Sequence, residues 1–442
     1  MARLVHLAIA AGIYLIAGPW LESALGPAGA GLAIMATIAW LWVSEALHVS
    51  VTALLVPLLA TVSGVLAFDQ ALLQFADPVI FLFLGGFAIA AGLQQQGLDR
   101  WMAAWVVAKA GNRLDRAARY LFWATAVLSM WISNTATAAM MLPLALGLLA
   151  PLQGREYRST WIYVLLGVAF AANIGGIGTL VGSPPNAIAA SNVGISFAQW
   201  MSWGVPLVIV MLPAMEFALR ACLRPRFDVA VQPPKADLVW TRKHWTMLGV
   251  FGLAVTLWVL GGPISGAIGV TRGYEGFVAL LALVLLHALR LATWKNIEKG
   301  ADWGVLLLFG GGLTLSRVIA DSGAAAWLAA QLGGAVETMP VFVVLALMML
   351  FALILTEVTS NTASAALLIP LFIGLAPQID GAAIAVVVAV ATSCAFLLPV
   401  ATPPNAIVFG SGHVPQRRMI VGGIWVSVAV MPALLVLAAL LA

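Results

Sequence analysis

The chain has 442 residues, of which 63% are hydrophobic and only 9% are charged, and its mean hydropathy is +1.05. Because a soluble domain carries roughly 25% charged residues, this composition excludes an ordinary soluble protein and predicts an all-α, polytopic membrane protein. The net charge of +4 comes from basic residues between apolar stretches, and we expect no nucleic-acid partner. Cys222 and Cys394 lie in or beside apolar stretches, so neither a disulfide framework nor a thiolate metal site is expected.

About eleven transmembrane helices and two re-entrant hairpins are predicted when the sequence is divided at its charged and turn-forming clusters. Each crossing needs about 20 mostly apolar residues. The predicted crossings are 5–24, 30–47, 50–67, 76–97, 158–193, 199–222, 244–262, 273–292, 302–322, 382–411 and 418–441. The first hairpin, about 117–150, is an apolar block too long for one crossing with polar residues at its centre, and the second is about 341–374.

The positive charges support this division. With the N-terminus in the cytoplasm, the inward loops and span ends hold all 21 Lys and Arg residues except Arg272 and Arg317. Because cytoplasmic loops carry an excess of Lys and Arg, the asymmetry predicts a cytoplasmic N-terminus and an external C-terminus in the cell's cytoplasmic (inner) membrane. No cleavable signal peptide is expected, because the first apolar stretch does not lead through a small-residue cleavage site into a soluble domain.

The two halves of the chain match in register. Gly85-Gly86 recurs as Gly311-Gly312, 226 residues later, and GSPPNAI, which begins at Gly182, recurs as ATPPNAI, which begins at Ala401. Each half crosses the membrane five times, an odd number, so the second copy is predicted to be inverted. The predicted division is an N-terminal span (1–29), a first inverted repeat (30–223), a cytoplasmic linker (224–243) and a second inverted repeat (244–442).

Both halves place polar residues in the middle of an apolar block. The first half contains Ser133-Asn134-Thr135 and the second contains Ser360-Asn361-Thr362. A single Ser or Thr in a membrane helix usually bonds to its own backbone one turn back. Three polar residues repeated at matching positions instead favour a polar site at bilayer depth that has been built twice.

Paired prolines interrupt a helix in each half. Pro184-Pro185 breaks the helix predicted over about 158–193, and Pro403-Pro404 breaks the one over about 382–411. A single proline is often only a kink. A break at bilayer depth is tolerated where the backbone lines a cavity or is buried in protein. Inverted repeats with broken helices are typical of secondary transporters, whose substrate site lies at the repeat interface.

The residue types in these motifs favour two kinds of ligand. Backbone carbonyls with Ser, Thr and Asn oxygens suit a hard monovalent cation, whereas helix N-termini suit a carboxylate or another oxyanion. Ser129 and Thr356 lie four residues before Ser133 and Ser360 and can add a further oxygen to each site. Because neither motif contains Lys, Arg, His or Asp, a dianion would have to be neutralised by bound cations.

A few charged residues lie near these motifs. Glu357 has Met130 as its counterpart, and a structural hydrogen-bonding role is favoured over cation or proton binding. Glu45 and His48, near the end of span 2, are expected to lie at the interface or to form a salt bridge rather than to act in catalysis. Arg317 and Asp321, spaced i,i+4, are expected to pair.

Through these motifs the whole chain resembles the divalent anion/sodium symporter family, whose INDY-type members carry di- and tricarboxylates. The resemblance implies at least two bound sodium ions. Its first sodium site would use Ser129, Ser133, Asn134 and Gly182, and its second Thr356, Ser360, Asn361 and Ala401. The substrate carboxylates would be bound by Ser133, Asn134, Thr135, Ser183, Ser360, Asn361, Thr362, Thr402 and Pro403. Ala401 departs from the matching Gly182, but a backbone carbonyl can serve from either.

The resemblance also implies an assembly and a motion. Members of the family are homodimers in which a transport domain, formed by hairpins and broken helices, moves against a scaffold domain in an elevator-like manner. In this scheme the amphipathic stretches 98–116 and 324–338 would be interfacial arms that join the two domains.

The predicted function is secondary active transport, a sodium-coupled symport of C4-dicarboxylates such as succinate, malate or fumarate. The same architecture could instead carry sulfate or citrate, or exchange dicarboxylates without sodium, because the motifs recognise carboxylate oxygens and not what joins them. A membrane enzyme would need clustered Asp, His or Lys at one membrane face, and the sequence contains no such cluster. A passive channel is a third alternative, but half-sites that close around a bound ion favour a carrier.

Overall fold

The computed structural model describes residues 2–232, 237–270 and 272–442. Within these ranges the secondary structure is helical apart from one isolated bridge between Arg113 and Ala230, so the prediction of an all-α protein is confirmed. Positions 233–236 of the predicted linker, and positions 1 and 271, lie outside the described residues.

Twelve α-helices precede the predicted linker within the described residues. They are α1 (Ala2–Gly12), α2 (Gly18–Leu25), α3 (Pro27–Ser44), α4 (Val49–Val62), α5 (Phe68–Leu73), α6 (Pro78–Gln95), α7 (Leu98–Ala108), α8 (Leu114–Ser129), α9 (Asn134–Leu149), α10 (Arg158–Gly176), α11 (Pro184–Val193) and α12 (Phe197–Leu223). A π-helical turn, Ile13–Ala17, joins α1 to α2.

Eleven α-helices follow the linker in the described part of the chain. They are α13 (Arg242–Val259), α14 (Gly261–Ala267), α15 (Tyr274–Ala288), α16 (Trp294–Gly300), α17 (Trp303–Asp321), α18 (Ala324–Glu337), α19 (Val341–Val358), α20 (Asn361–Leu375), α21 (Gly381–Thr392), α22 (Pro403–Gly410) and α23 (Gln416–Leu441).

Eight segments of the described residues are long and apolar enough to cross a membrane, and α13 with α14, bent by 87°, would make a ninth. The eight are Arg3–Leu25, Pro27–Ser44, Phe68–Gln95, Arg155–Gly176, Phe197–Leu223, Trp303–Asp321, Val341–Val358 and Gln416–Leu441. Three predicted crossings correspond to shorter apolar helices, α4, α15 and α21. The predicted span 50–67, for example, ends at Val62 because Gly64 adopts a positive φ of 68° in the turn that follows.

The two predicted arms differ in how far each is helical. In the first, 98–116, α7 ends at Ala108 and α8 begins at Leu114, because Gly111 adopts a positive φ of 66° between them. The last residues of this predicted arm therefore belong to the first helix of the hairpin segment. In the second, 324–338, α18 covers nearly the whole stretch.

The centre of the protein is formed by the two helices that lead into the breaks. Helix α10 is buried from Ile162 to Gly176, and α21 is buried from Ala383 to Thr392. Large apolar side chains on other helices are exposed, among them Ile16, Val62, Phe217 and Ile354. Such a distribution, with polar motifs inside and apolar side chains outside, is expected of a protein whose solvent is lipid.

The repeated Gly-Gly pairs allow helices from opposite halves to pack closely. A Cβ added at Gly85 on α6 would lie 2.4 Å from the carbonyl oxygen of Ala279 on α15. A Cβ added at Gly311 on α17 would lie 2.5 Å from the carbonyl oxygen of Ala53 on α4. Small residues let helix backbones approach in this way in membranes, so each Gly-Gly pair joins its own half to the other.

We expect Gly85→Ala to lower the thermal stability of the detergent-solubilised protein, because overpacking against backbone costs about 1–3 kcal/mol. Gly249→Ala is the matched control, since an added Cβ there meets no atom within 4 Å. A melting curve followed by tryptophan fluorescence compares the two variants. A Gly85→Ala protein with the same melting temperature as the wild type would contradict the close approach of α6 and α15.

Candidate functional site

Both polar motifs and both helix breaks line one cavity of about 910 Å³. This volume lies within the range of about 300–1,000 Å³ that is usual for small-molecule sites. The predicted site residues in its lining are Ser133, Asn134, Thr135, Gly182, Ser183, Ser360, Asn361, Thr362, Ala401, Thr402 and Pro403. The other two predicted residues, Ser129 and Thr356, lie outside the lining and are fully buried, hydrogen-bonded to the motif asparagines.

Four helices begin at the cavity. Their N-cap residues are Ser133 for α9, Ser183 for α11, Ser360 for α20 and Thr402 for α22, and all four line the cavity. Pro184 and Pro403 start α11 and α22 at the position where a helix tolerates proline. Since each helix N-terminus carries a partial positive charge of about half an elementary charge, the four together favour an anion.

Oxygen atoms converge behind the first Ser-Asn-Thr motif. Ser129 Oγ donates to the carbonyl oxygen of Ala172, 2.7 Å away. The terminal amide atom of Asn134 that faces Ser129 Oγ at 2.6 Å also lies 3.1 Å from Ala172 O and 3.2 Å from Gly182 O. With Nδ2 at this position Asn134 donates to all three oxygens. With Oδ1 of Asn134 at this position instead, it and the oxygens of Ser129, Ala172 and Gly182 face one another. Oxygen atoms are the ligands that a hard cation prefers.

The second motif has a matching arrangement. Thr356 Oγ1 lies 2.7 Å from Asn361 Oδ1 and 2.8 Å from the carbonyl oxygen of Thr392. Thr356, Asn361 and Thr392 correspond in the duplication to Ser129, Asn134 and a position beside Ala172. The two halves thus present similar sets of oxygen atoms that fit a small monovalent cation.

The asparagines of the two Pro-Pro-Asn segments bind the unwound backbone. Asn186 Nδ2 donates to the carbonyl oxygens of Gly176 (2.8 Å) and Thr179 (2.7 Å). Asn405 Nδ2 donates to the carbonyl oxygens of Ala395 (3.2 Å) and Leu398 (3.0 Å). The repeated sequence identified these asparagines, but their role as donors to freed carbonyls could not be assigned without the structure.

Glu357 binds the second break from the opposite direction. Its carboxylate accepts from the backbone N–H groups of three successive residues, Phe396 (2.8 Å), Leu397 (3.0 Å) and Leu398 (3.3 Å). These donors are free because helix α21 has ended before them. The structure confirms the hydrogen-bonding role that was favoured for Glu357.

The sequence did not place any charged side chain at the site, yet Glu45, Lys299 and Asp302 line the cavity, together with His48. His48 Nδ1 also accepts from Ser50 N at 3.3 Å and caps α4. Among the described residues no ion pair includes Glu45 or His48, so the salt-bridge alternative for them is wrong. The loops that carry these four residues meet only in the tertiary structure.

Arg317 and Asp321, the predicted i,i+4 pair, are not part of the cavity lining. Arg317 Nε is 3.1 Å from Asp321 Oδ2, and both side chains are partly exposed. The predicted pairing is therefore confirmed.

Residues 39–392 match a family model described as a citrate transporter. The chain is 47% identical over 402 residues to an uncharacterised transporter of Haemophilus influenzae, an alignment that covers 89% of this chain and 87% of that protein. It is 34% identical over 433 residues to the sodium-dependent dicarboxylate transporter SdcS of Staphylococcus saprophyticus, covering 90% of this chain and 82% of that protein.

A solved structure shares the fold. The YdaH transporter of Alcanivorax borkumensis superposes with a TM-score of 0.58 and 17% sequence identity, covering 84% of this chain and 87% of that one. The matched family and relatives are transporters, which confirms that the chain is a membrane transporter and not an enzyme.

We expect Glu357→Gln to lower thermal stability in detergent, because the amide presents N–H groups to backbone N–H donors. Leaving a buried donor unpaired costs about 1–3 kcal/mol. Glu298→Gln, the same substitution at an exposed position on α16, is the control and should melt with the wild type. Equal melting temperatures for both variants would show that the carboxylate does not stabilise the second break.

Proposed function

Because the chain belongs to the divalent anion/sodium symporter family of membrane transporters, we propose that it is a sodium-coupled symporter of C4-dicarboxylates such as succinate, malate and fumarate. The observation that carries this proposal is the single cavity lined by both Ser-Asn-Thr motifs and both helix breaks. A cavity with four helix N-termini and two oxygen clusters suits an anion together with cations.

The charge of the cavity explains why cations are needed. Its ionisable side chains are the two acids Glu45 and Asp302, the base Lys299 and the histidine His48. The motifs themselves contribute hydroxyls and amides but no cationic side chain. Without further positive charge, moving a dianion out of water into this site would be costly. Sodium bound at the oxygen clusters supplies that charge, so that substrate and cation enter together.

We assign at least two sodium ions to these clusters. The first would be bound by Ser129, Ser133, Asn134 and Gly182, and the second by Thr356, Ser360, Asn361 and Ala401. The matched oxygen distances behind Asn134 and Asn361 support the assignment. The substrate would lie between the two half-sites, against Ser133, Asn134, Thr135 and Ser183 on one side and Ser360, Asn361, Thr362, Thr402 and Pro403 on the other.

An elevator-like motion of a transport domain, formed by the hairpins and broken helices, against a scaffold domain would expose this site to either side of the membrane. Ser191 Oγ donates to Asp77 Oδ1 (3.1 Å), and Ser316 Oγ donates to Asn192 Oδ1 (2.9 Å). These bonds join α11, a helix of the proposed transport domain, to α6 and α17 of the proposed scaffold. Movement of α11 past the scaffold would break both. The proposal includes two inverted repeats, 30–223 and 244–442. It also includes assembly of the chain as a homodimer.

In the proposed topology the cavity opens inward. Glu45, His48, Lys299 and Asp302 line it and belong to loops that the positive-inside rule assigns to the cytoplasm. With the N-terminus cytoplasmic and the C-terminus outside, this arrangement would be a state that releases substrate into the cell. Citrate is the second candidate substrate, because the matching family model is described as a citrate transporter.

In proteoliposomes, succinate uptake should rise steeply with external sodium, with a Hill coefficient above one, because at least two cations neutralise each dianion. Radiolabelled uptake is measured with sodium or choline outside. Competition by citrate and by sulfate identifies the preferred anion. Uptake that is indifferent to sodium would rule out symport, and counterflow without sodium would support the exchanger instead.

Asn134→Ala and Asn361→Ala should each reduce sodium-dependent succinate uptake by at least about tenfold, since each removes an oxygen from a cation site and a hydrogen bond to a charged substrate. Asn112→Ala, at an exposed position outside the cavity, is the control. Membrane insertion is checked by fluorescence-detected size exclusion. Near-normal uptake by both cavity variants would remove the motifs from the mechanism.

A further inference from the structure

Asn173 lies outside every repeated motif, yet it lines the cavity. It is on α10, its side chain is only 1% exposed, and the duplication places Thr392 at the matching position in the other half. A buried amide in the last turn of an apolar helix requires partners. The partners of Asn173 all belong to the other half of the chain.

Three oxygens of the second break surround the amide nitrogen of Asn173. Nδ2 donates to Thr402 Oγ1 (3.1 Å), to the carbonyl oxygen of Ala395 (3.3 Å) and to Asn405 Oδ1 (3.4 Å). Because Ala395 O can only accept, the nitrogen and not the oxygen of Asn173 must face this group. Asn173 Oδ1 is buried and has no hydrogen-bond partner in the described part of the chain.

These bonds determine how Thr402 can interact with a ligand. Thr402 Oγ1 accepts from Asn173 Nδ2 and also from the backbone N–H of Asn405 (3.3 Å). A hydroxyl has two acceptor lone pairs and one proton to donate, so both lone pairs are in use. Within the described residues the Thr402 hydroxyl donates to no protein atom, and Thr402 lines the cavity. Its proton is therefore available to an acceptor in the cavity.

The matching residue of the first half is not restricted in this way. Ser183 corresponds to Thr402, and its hydroxyl makes no capping bond to α11. Its partner is Ser393 Oγ at 3.4 Å. Because Ser393 Oγ donates its own proton to Ala389 O at 3.0 Å, Ser183 is the donor in this weak contact, and its lone pairs are left free. Ser183 can thus donate or accept, whereas Thr402 can only donate.

We propose that Asn173 is a positioning residue that makes the Thr402 hydroxyl an obligate donor to one carboxylate group of the substrate, so that the two half-sites differ in which ligand atoms they accept. This inference rests on the proposed function, since it concerns the anion site of that transporter. The ligand group required at Thr402 is an oxyanion. A ligand that presents a hydroxyl or an amide nitrogen to Thr402 would bind more weakly, because it accepts this hydrogen bond poorly or not at all.

A double-mutant cycle tests the proposal. The Michaelis constant for succinate is measured at saturating sodium in proteoliposomes with wild type, Asn173→Ala, Thr402→Val and the double variant. Thr402→Val should raise the constant by about 10- to 100-fold, as expected for loss of one hydrogen bond to a charged group. Asn173→Ala should raise it by a smaller factor of about 3- to 10-fold, because the hydroxyl remains but is no longer held as a donor. In the Thr402→Val background, Asn173→Ala should change it by less than about twofold, because the bond through which Asn173 acts is already lost.

The outcomes separate this proposal from the proposed function. Equal effects of Asn173→Ala in the two backgrounds would overturn the inference, since the amide would then act by another route. A Thr402→Val protein with the wild-type Michaelis constant would instead contradict the binding role of Thr402 itself. The half-saturating sodium concentration should stay unchanged in Asn173→Ala, because neither oxygen cluster includes this residue.

Two further variants keep the test decisive. If Asn173→Ala does not fold, Asn173→Thr introduces the residue that occupies the matching position 392, and the same cycle applies. Ser393→Ala removes the weaker contact to Ser183 and should raise the Michaelis constant less than Asn173→Ala does. An equal or larger effect of Ser393→Ala would contradict the difference between the two half-sites.

Discussion

The structure depends on satisfying backbone groups that two broken helices leave unpaired inside a membrane protein. Asn186 and Asn405 donate to the carbonyls freed at the breaks, and Glu357 accepts from three freed N–H groups. Hydrocarbon offers no partner for such groups. With the backbone held by side chains away from the ligand, the helix N-termini that remain are free to face the cavity.

In the proposed function, the broken helices serve both substrate binding and its coupling to cations. Four N-caps line the cavity and bring partial positive charge to it, which favours an anion. The oxygens behind Asn134 and Asn361 form two clusters that favour cations. In the proposed function, an anion and its cations would occupy adjacent places in one site. In the proposed mechanism, coupling follows from electrostatics within the cavity and requires no long-range signal between separate sites.

The two halves are alike in backbone but differ in side chains at several points. Glu357 binds the second break, whereas Met130 stands at its place in the first half. Asn173 crosses to the second half, whereas its counterpart position holds Thr392. A site made of two identical halves would bind both ends of a ligand equally. In the proposed mechanism, these side-chain differences make one half more restrictive than the other.

The sequence by itself determined the helical class, the positions of the breaks and which polar motifs line the cavity. Hydropathy, proline and glycine act locally, so Ser133, Asn361 and Pro403 could be identified without coordinates. The tertiary structure decided which side chain satisfies which group. Asn173 and Thr402 are 229 residues apart, and the charged residues at the cavity come from separate loops. Such contacts depend on how helices pack against one another, which local sequence patterns do not encode.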